Sequence, residues 1–371
     1  MGEPVPDTDG GWQAARGDGP GVYTAGPIDG RTARSPQQAL HGLRRKRGEQ
    51  ADAVDAVVPK GGGLAGFSEL PSTACQSVAA GKRVASSWAS LIACALVTDD
   101  PKVPPNPHDL ARVFNEVPEL YDRVRPGYPD ELFADLVAVT GLDEGSSVLE
   151  VGCGTGQATR SLATLGCSVT AVEPGADMAA LARHRISSFR NVAVETSTFE
   201  EWDDRGRRFD VLVAAQSWHW VDPSIGWQRA HDVLYPGGWM ALLGHVVVRR
   251  PGEPEVYTAT ADLHEQFCPG NPDWGHPPLE DEVRTTDEGW GLVDDPGGLF
   301  GPTIVRWYPT VQWFNGDGFA DHLRSLSLYR RLDRDVREPL LDAIAERIRT
   351  RMGDRASRRY LSVLRVGERA E

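Results

Sequence analysis

The spacing of hydrophobic residues changes at about residue 108. After this point, short apolar runs alternate with stretches in which apolar residues recur at helical spacing, which predicts strands alternating with helices. Strands are predicted at 147–151, 168–172, 192–195, 211–215, 239–248, 303–314 and 359–365. Helices are predicted at 108–121, 129–140, 176–185, 319–332 and 336–351, with one more that follows a glycine-rich turn and ends at residue 165. The alternation indicates a doubly wound α/β domain, in which helices cover both faces of a mainly parallel, seven-stranded sheet.

Residues 1–107 show no sustained periodicity and are rich in Gly, Pro, Ser and Ala. A segment of this composition buries too little apolar surface to offset the entropy of the chain, so we expect it to be mostly disordered. Acidic and basic residues balance within it, so the net charge of −14 belongs to a domain at 108–371. That domain contains an irregular insertion at about 251–302, which is expected to act as a lid or binding loop.

A glycine-rich turn lies between the first predicted strand and the helix that follows it. It contains Gly152, Gly154 and Gly156, and Glu150 ends the strand before it. Glycine allows a sharp turn and lets the backbone approach a ligand, while the start of the helix offers free amides. Glu173 ends the next strand, where a carboxylate suits a bidentate contact to two ribose hydroxyls. The pattern predicts a nucleotide-like ligand.

Two ligands compete for this turn. A dinucleotide fingerprint has the spacing GxGxxG, whereas here the spacing is GxGxG and Gln157 stands where the third glycine would fall. Glu150 would also repel a pyrophosphate. An acid is better matched to the ammonium and sulfonium of S-adenosylmethionine, so the spacing favours that cofactor over a nicotinamide dinucleotide.

Four ordered motifs then resemble a known family. VLEVGCGTGQ (148–157), VTAVEPG (169–175), FDVLVAAQSWHWVDP (209–223) and LYPGGWMAL (234–242) occur in the order seen in class I S-adenosylmethionine-dependent methyltransferases. The preceding YDRVRPGYP (121–129) is similar to the entry segment of the bacterial small-molecule branch, which includes enzymes like trans-aconitate methyltransferase. The resemblance covers about residues 110–367 and implies a Rossmann-like fold.

The resemblance implies a set of cofactor contacts. The glycine turn would pass under the methionine part, Glu173 would hold the ribose, and Arg125 would pair with the cofactor carboxylate or lie at the surface. Thr198 stands where the family often has an acid for the adenine, which leaves backbone contacts at Thr198 and Phe199, while Met178 would lie near the adenine or pack a helix. The implied set is Tyr121, Arg125, Glu150, Gly152, Cys153, Gly154, Gly156, Gln157, Glu173, Pro174, Met178, Thr198, Phe199 and Gln216.

His219 is the candidate catalytic residue, because an imidazole can accept a proton near neutral pH. A structural histidine held under the loop after the fourth strand is the competing interpretation. Methyl transfer from a sulfonium needs a base only if the nucleophile arrives protonated. No lysine follows residue 102, which excludes a Schiff-base enzyme or a P-loop phosphotransferase built on this domain.

Composition limits the kinds of ligand and partner that we expect this protein to bind. An acidic domain argues against a nucleic-acid surface, no apolar run approaches bilayer length, and the cysteines have no metal-ligand spacing, so no metal is expected. We therefore expect a cytoplasmic protein with a small-molecule methyl acceptor. A catalytically silent cofactor-binding regulator and a nicotinamide-dependent oxidoreductase are the alternatives. Trp274, Trp290 and Tyr257 would line a pocket or pack the insertion, and the arginine-rich stretch 347–359 would attract an anionic substrate or form a solvated helix face.

Overall fold

The computed structural model describes residues 115–270, 276–286, 295 and 297–371, together with a two-residue strand at Tyr23–Thr24. Apart from that strand, the expectation of disorder at 1–107 lies outside the described residues. The same holds for the first part of the helix predicted at 108–121, and for Trp274 and Trp290.

The strands form one mixed sheet, and the predicted doubly wound α/β fold is confirmed. Its order is β1-β7-β8-β6-β5-β2-β3-β4, in which the four pairings from β4 to β6 are parallel and those of β7 and β8 are antiparallel. The strands are β1 (Tyr23–Thr24), β2 (Ser147–Val151), β3 (Ser168–Glu173), β4 (Val192–Thr196), β5 (Phe209–Ala215), β6 (Leu234–Val248), β7 (Ile304–Phe314) and β8 (Ala356–Glu368). The seven predicted strands are all present, and β1 adds a short eighth at the edge.

Helices lie on both faces of the sheet. They are α1 (Pro118–Val124), α2 (Asp130–Thr140), α3 (Gln157–Thr164), α4 (Ala176–Arg185), α5 (Pro223–Val233), α6 (Val256–Phe267), α7 (Glu280–Thr286), α8 (Gly316–Arg324), α9 (Ser327–Arg330) and α10 (Arg334–Arg351), with a 3-10 turn at Trp218–Trp220. Gly141 ends α2 in the left-handed region at φ 77°, and the Asp222 side chain caps α5 by accepting from the Ser224 amide. None of the helices in the described ranges is long and apolar enough to cross a bilayer.

The alternation of side chains along the strands divides the core into two layers. Val148 and Leu243 point toward α2 and α3, whereas Leu149 and Leu212 pack toward α5 on the other face. A third cluster joins α6, α8 and α10 at the end of the sheet. Since the carboxyl ends of the parallel strands share one edge, this packing places the glycine turn beside the loops that follow β3 and β5.

Two sequence expectations are wrong. The insertion at 251–302 is not irregular, because it contains α6 and α7. The Glu255 side chain starts α6 by accepting from two amides, and Val256 and Leu263 bury an apolar face that the acidic composition concealed. The helix predicted at 319–332 is broken, because the Ser325 hydroxyl donates to the His322 carbonyl and competes with the helical hydrogen bonds.

Candidate functional site

The loop between β2 and α3 turns sharply over its glycines. Gly152, Gly154 and Gly156 have φ values of 68°, 57° and 87°, a region that residues with a Cβ seldom adopt. The amides of Gly152 and Cys153 donate to the Val172 carbonyl at 2.8 and 3.2 Å. The loop is therefore tied to β3, and the start of α3 has no side-chain cap, so its first amides are available to a ligand.

Glu150 lies at the end of β2 beneath this turn. Its side chain is fully buried at 0% exposure, and neither carboxylate oxygen has a hydrogen-bond partner. Burial raises its pKa to about 8, against the opposing effect of the nearby Thr159 hydroxyl and with a smaller contribution from the charge of Glu173. Buried charges are normally paired, so this carboxylate is suited to a cationic group that the described side chains do not supply.

Glu173 ends β3 and fixes the turn from the opposite side. Its carboxylate accepts from the Gly154 amide at 2.8 Å and from the Gly175 amide at 2.9 Å. Burial raises the pKa of Glu173, and the two amides counteract the rise. An ionised carboxylate offers about four acceptor positions, so positions remain for the hydroxyl groups of a ligand.

The other residues predicted around the turn lie in different environments. Cys153 is buried, and burial raises the pKa of its thiol, so it serves packing. Met178 is also buried and lies over the turn, with its Cε 3.6 Å from the place where a Cβ on Gly154 would stand. Gln157 begins α3 and is half-buried, and Pro174 is exposed beside Glu173.

The adenine side departs from the family pattern as the sequence indicated. The Thr198 hydroxyl accepts from the Glu201 amide at 3.2 Å and so caps its own turn. Phe199 is buried in the layer beneath, with its ring centroid 6.0 Å from that of Trp218. Only the backbone of these two residues is therefore suited to contact a base.

Gln216 and Ser217 follow β5 and form the floor beside the turn. Gln216 has a φ of 57°, a conformation that costs a residue with a side chain on the order of 1 kcal/mol and often marks functional sites. Its amide Nε2 donates to the His245 carbonyl at 3.0 Å. Ser217 donates to the Val151 carbonyl, and a Cβ on Gly152 would stand 2.5 Å from the Ser217 Cβ, so only glycine fits at 152.

Helix α1 and the residue after it cover this edge of the sheet. They carry Tyr121 and Arg125, which were predicted to contact the cofactor. The guanidinium of Arg125 lies 4.8 Å from the centre of the Tyr121 ring, and its buried Nε has no hydrogen-bond partner. Asp122 on the same helix forms an ion pair of 2.7 Å with Arg185 on α4. Arg125 is therefore not a solvated surface residue, and it offers a donor for an anionic group.

His219 lies in the 3-10 turn after β5, and its ring is exposed. Desolvation by the surrounding protein lowers the pKa of His219. The imidazole is therefore neutral at pH 7 and able to accept a hydrogen bond. Asp222, three residues further on, caps α5.

Two contacts at the site were not predicted from the sequence. Asn115 lies far from α4 in the chain, yet its Oδ1 accepts from the amides of Asp177 and Met178 at 2.7 and 3.2 Å and caps that helix. Tyr128 stacks on His245 with ring centroids 4.3 Å apart. Tyr128 belongs to the YDRVRPGYP motif, which could have drawn attention to it. The Asn115 cap on α4 depends on tertiary folding and could not be found from the sequence.

The structure thus brings Glu150, the glycine turn, Glu173, Met178 and Gln216 together at one edge, with α1 above them. The Thr198 side chain caps its own turn and the Phe199 side chain packs in the core. Within the described ranges, no group of three or more His, Cys, Asp or Glu residues could hold a metal ion.

Comparison with known proteins agrees with this geometry. The methyltransferase domain family matches residues 148–238. An uncharacterized methyltransferase of Mycobacterium tuberculosis is 33% identical over 144 residues, which cover 39% of this chain and 56% of that protein. A trans-aconitate 2-methyltransferase of the same species is 30% identical over 145 residues, which cover 35% and 52%.

A putative type II methyltransferase from Anaeromyxobacter dehalogenans is a similar solved structure, with 24% identity and a TM-score of 0.46 over 66% of this chain and 97% of that one. The chain spans about half the length of the curated methyltransferases it matches, and the match covers 56% of the uncharacterized mycobacterial methyltransferase. The family match coincides with the turn, Glu173 and the floor after β5. Residues 148–238 therefore match the methyltransferase domain family, and the sheet that carries them has the fold of class I S-adenosylmethionine-dependent methyltransferases.

Proposed function

We propose that this protein transfers a methyl group from S-adenosylmethionine to an oxygen, nitrogen or carboxylate nucleophile of a small molecule. The observation that carries the proposal is the Glu150 carboxylate, which is buried without a partner beneath the glycine turn. An ammonium group of a ligand would favour ionisation of this carboxyl and would pair with it. The pyrophosphate of a dinucleotide would instead keep Glu150 protonated and gain no ion pair from it, which disfavours the oxidoreductase alternative.

The bound cofactor supplies a methyl group on a sulfonium, which is already activated for displacement. Glu150 would bind its ammonium group, Arg125 its carboxylate, and Glu173 its ribose hydroxyls through the acceptor positions that the two glycine amides leave free. These contacts hold a ligand at three points, and orientation of this kind contributes up to ~7–11 kcal/mol in favourable reactions.

The acceptor would lie over Gln216 and near His219. The Gln216 side chain donates to the His245 carbonyl and so fixes the floor, and the neutral His219 ring offers a hydrogen-bond acceptor to a protonated nucleophile. An acceptor that arrives ionised would need no base. The identity of the nucleophile is therefore part of what the experiment determines.

Isothermal titration of the full chain with S-adenosylmethionine, S-adenosylhomocysteine and NAD tests the cofactor. We expect the first two to bind, and Glu150→Gln to weaken them while the exposed Glu201→Gln does not. NAD binding without binding of S-adenosylmethionine would refute the proposal. Incubation with labelled methyl donor and a panel of acids, amines and phenols then tests transfer, and binding without turnover on any acceptor would favour the silent regulator.

A further inference from the structure

Arg358 on β8 is buried with its positive charge uncompensated. Its side chain is 7% exposed, and its guanidinium contacts two uncharged groups: Nη1 lies 2.6 Å from His322 Nε2, and Nη2 donates to the Tyr257 hydroxyl at 2.8 Å. Its Nε has no hydrogen-bond partner. Within the described ranges, Arg358 makes no ion pair, although neighbouring Arg359 pairs with Glu253 at 2.7 Å.

The geometry of His322 shows that it cannot supply the missing negative charge. Its Nδ1 lies 3.2 Å from the Val124 carbonyl, which can only accept, so the proton is on Nδ1. Nε2 then carries the lone pair that accepts from Arg358 and the imidazole is neutral. Burial lowers the pKa of His322, and the charge of Arg358 lowers it further, which agrees with this assignment.

A second cation lies near the same cluster. Arg125 follows Val124, whose carbonyl contacts His322, and its positive charge lowers the pKa of His322 and of Tyr360. Glu255 is an acid whose charge raises the pKa of Arg358, but its two oxygens already accept from the amides that begin α6. Removing a charge from water costs several kcal/mol unless it is paired, so the buried Arg358 guanidinium favours binding of an anion.

The position of Arg358 relates it to the methyl-transfer site. Arg358, Tyr360 and Ser362 alternate on β8 and so point to one face, and Ser362 pairs with His245, whose carbonyl accepts from Gln216. Glu150 lies on the same face of the sheet. Four residues separate Arg358 from Ser362, which is about 13 Å of extended strand.

A small cavity lies against Arg358. Its volume is about 20 Å³, enough for one ordered water or the tip of an oxyanion, and its lining includes Glu253 and Glu255. Glu253 is paired with Arg359 and Glu255 accepts from the α6 amides, so both acids already have partners. This small cavity shares Arg249 and Glu255 with a larger cavity of about 270 Å³ that opens at the start of α6.

We propose that Arg358 binds an oxyanion, a carboxylate or a phosphate, carried by the methyl acceptor at the end remote from its nucleophile. The proposal rests on the proposed function and adds the substrate class: an elongated, anionic small molecule with its charged group at Arg358 and its nucleophile toward the Gln216 floor. Tyr257 and His322 position the guanidinium, and α6 of the insertion completes the subsite.

The test titrates the full chain, saturated with S-adenosylhomocysteine, with glutarate, inorganic phosphate and uncharged dimethyl glutarate, followed by calorimetry and thermal unfolding. We expect glutarate or phosphate to bind and to raise the Tm, and the ester to do neither. Arg358→Met should weaken the anion at least tenfold, and Arg358→Lys should weaken it less because it keeps the charge but not the planar fork. Arg306→Met, an exposed arginine on β7, is the matched control.

The outcomes separate this inference from the proposed function. Binding of S-adenosylhomocysteine without binding of either anion would overturn the subsite alone, as would equal anion affinity in the wild type and Arg358→Met. Equal loss in Arg306→Met would mean general charge attraction and would also overturn it. If Arg358→Met does not fold, Arg358→Lys is the deciding variant. Anion affinity that is unaltered in Arg358→Lys, together with binding of the uncharged ester to the wild type, would contradict recognition by the guanidinium.

Discussion

Replacing Glu150 with glutamine is expected to abolish a proton release that accompanies cofactor binding. Burial raises the pKa of Glu150 to about 8, so at pH 7 about 0.9 of the molecules carry the proton, and at pH 9 about 0.1 do. An ammonium group placed against the carboxylate favours its ionised form, which returns the pKa toward its ordinary value. Binding at pH 7 therefore releases close to one proton from the wild type.

The same shift affects stability without ligand. A rise from 4.5 to about 8 corresponds to an upper bound of about 5 kcal/mol. Below pH 4.5 the carboxyl is protonated in both states and costs nothing. As the pH rises from there to about 8, the unfolded chain loses its proton first, so the folded state loses stability. Glu150→Gln should remove this loss and raise the Tm at pH 8.

Calorimetry with S-adenosylhomocysteine in phosphate and in Tris buffers measures the proton count, because the two buffers differ in ionisation enthalpy. Comparison of Glu150→Gln with the exposed Glu201→Gln separates the buried carboxylate from protons of the ligand itself. Equal proton release in the wild type and Glu150→Gln at pH 7 would refute the assignment of Glu150 as the ammonium site.

Three further outcomes are expected. Glu173→Ala should weaken S-adenosylhomocysteine at least tenfold, since it loses the ribose contact and frees the glycine turn; an unchanged calorimetric Kd would show that the ribose lies elsewhere. Gly152→Ala should lower the free energy of unfolding by about 2–4 kcal/mol, because its Cβ would stand 2.5 Å from Ser217. Gly206→Ala, at φ 72° in open space, should cost only about 1–2 kcal/mol in the same urea titration, and equal losses would contradict the clash. His219→Ala should lower kcat at least tenfold with the cofactor Kd unchanged; because its pKa is lowered, kcat should vary little between about pH 6 and 8, and an inflection there lost in the variant would contradict the neutral ring.

The sheet could be predicted from the sequence because its strands are short apolar runs between turn residues. β2 and α4 have the predicted bounds, and most other ends shift by a few residues. The insertion was misjudged because α6 starts with a side-chain cap from Glu255 and buries its apolar face against α8 and α10. Composition suggested a loop, while tertiary packing made a helix.

At the site, the residues whose role follows from local backbone were predictable, and those whose role depends on charge balance were not. The glycine turn was predictable from the spacing of its glycines after a strand, and Glu150 from its place just before the turn. Arg358 belongs to a run of arginines of which Arg347, Arg349 and Arg359 form ion pairs with neighbouring acids. Its strand position turns it inward, and only the folded structure shows that its partners are uncharged. The sequence therefore predicted the cofactor class, whereas the proposed chemistry of the acceptor rests on a buried charge without an ion pair, which only the fold reveals.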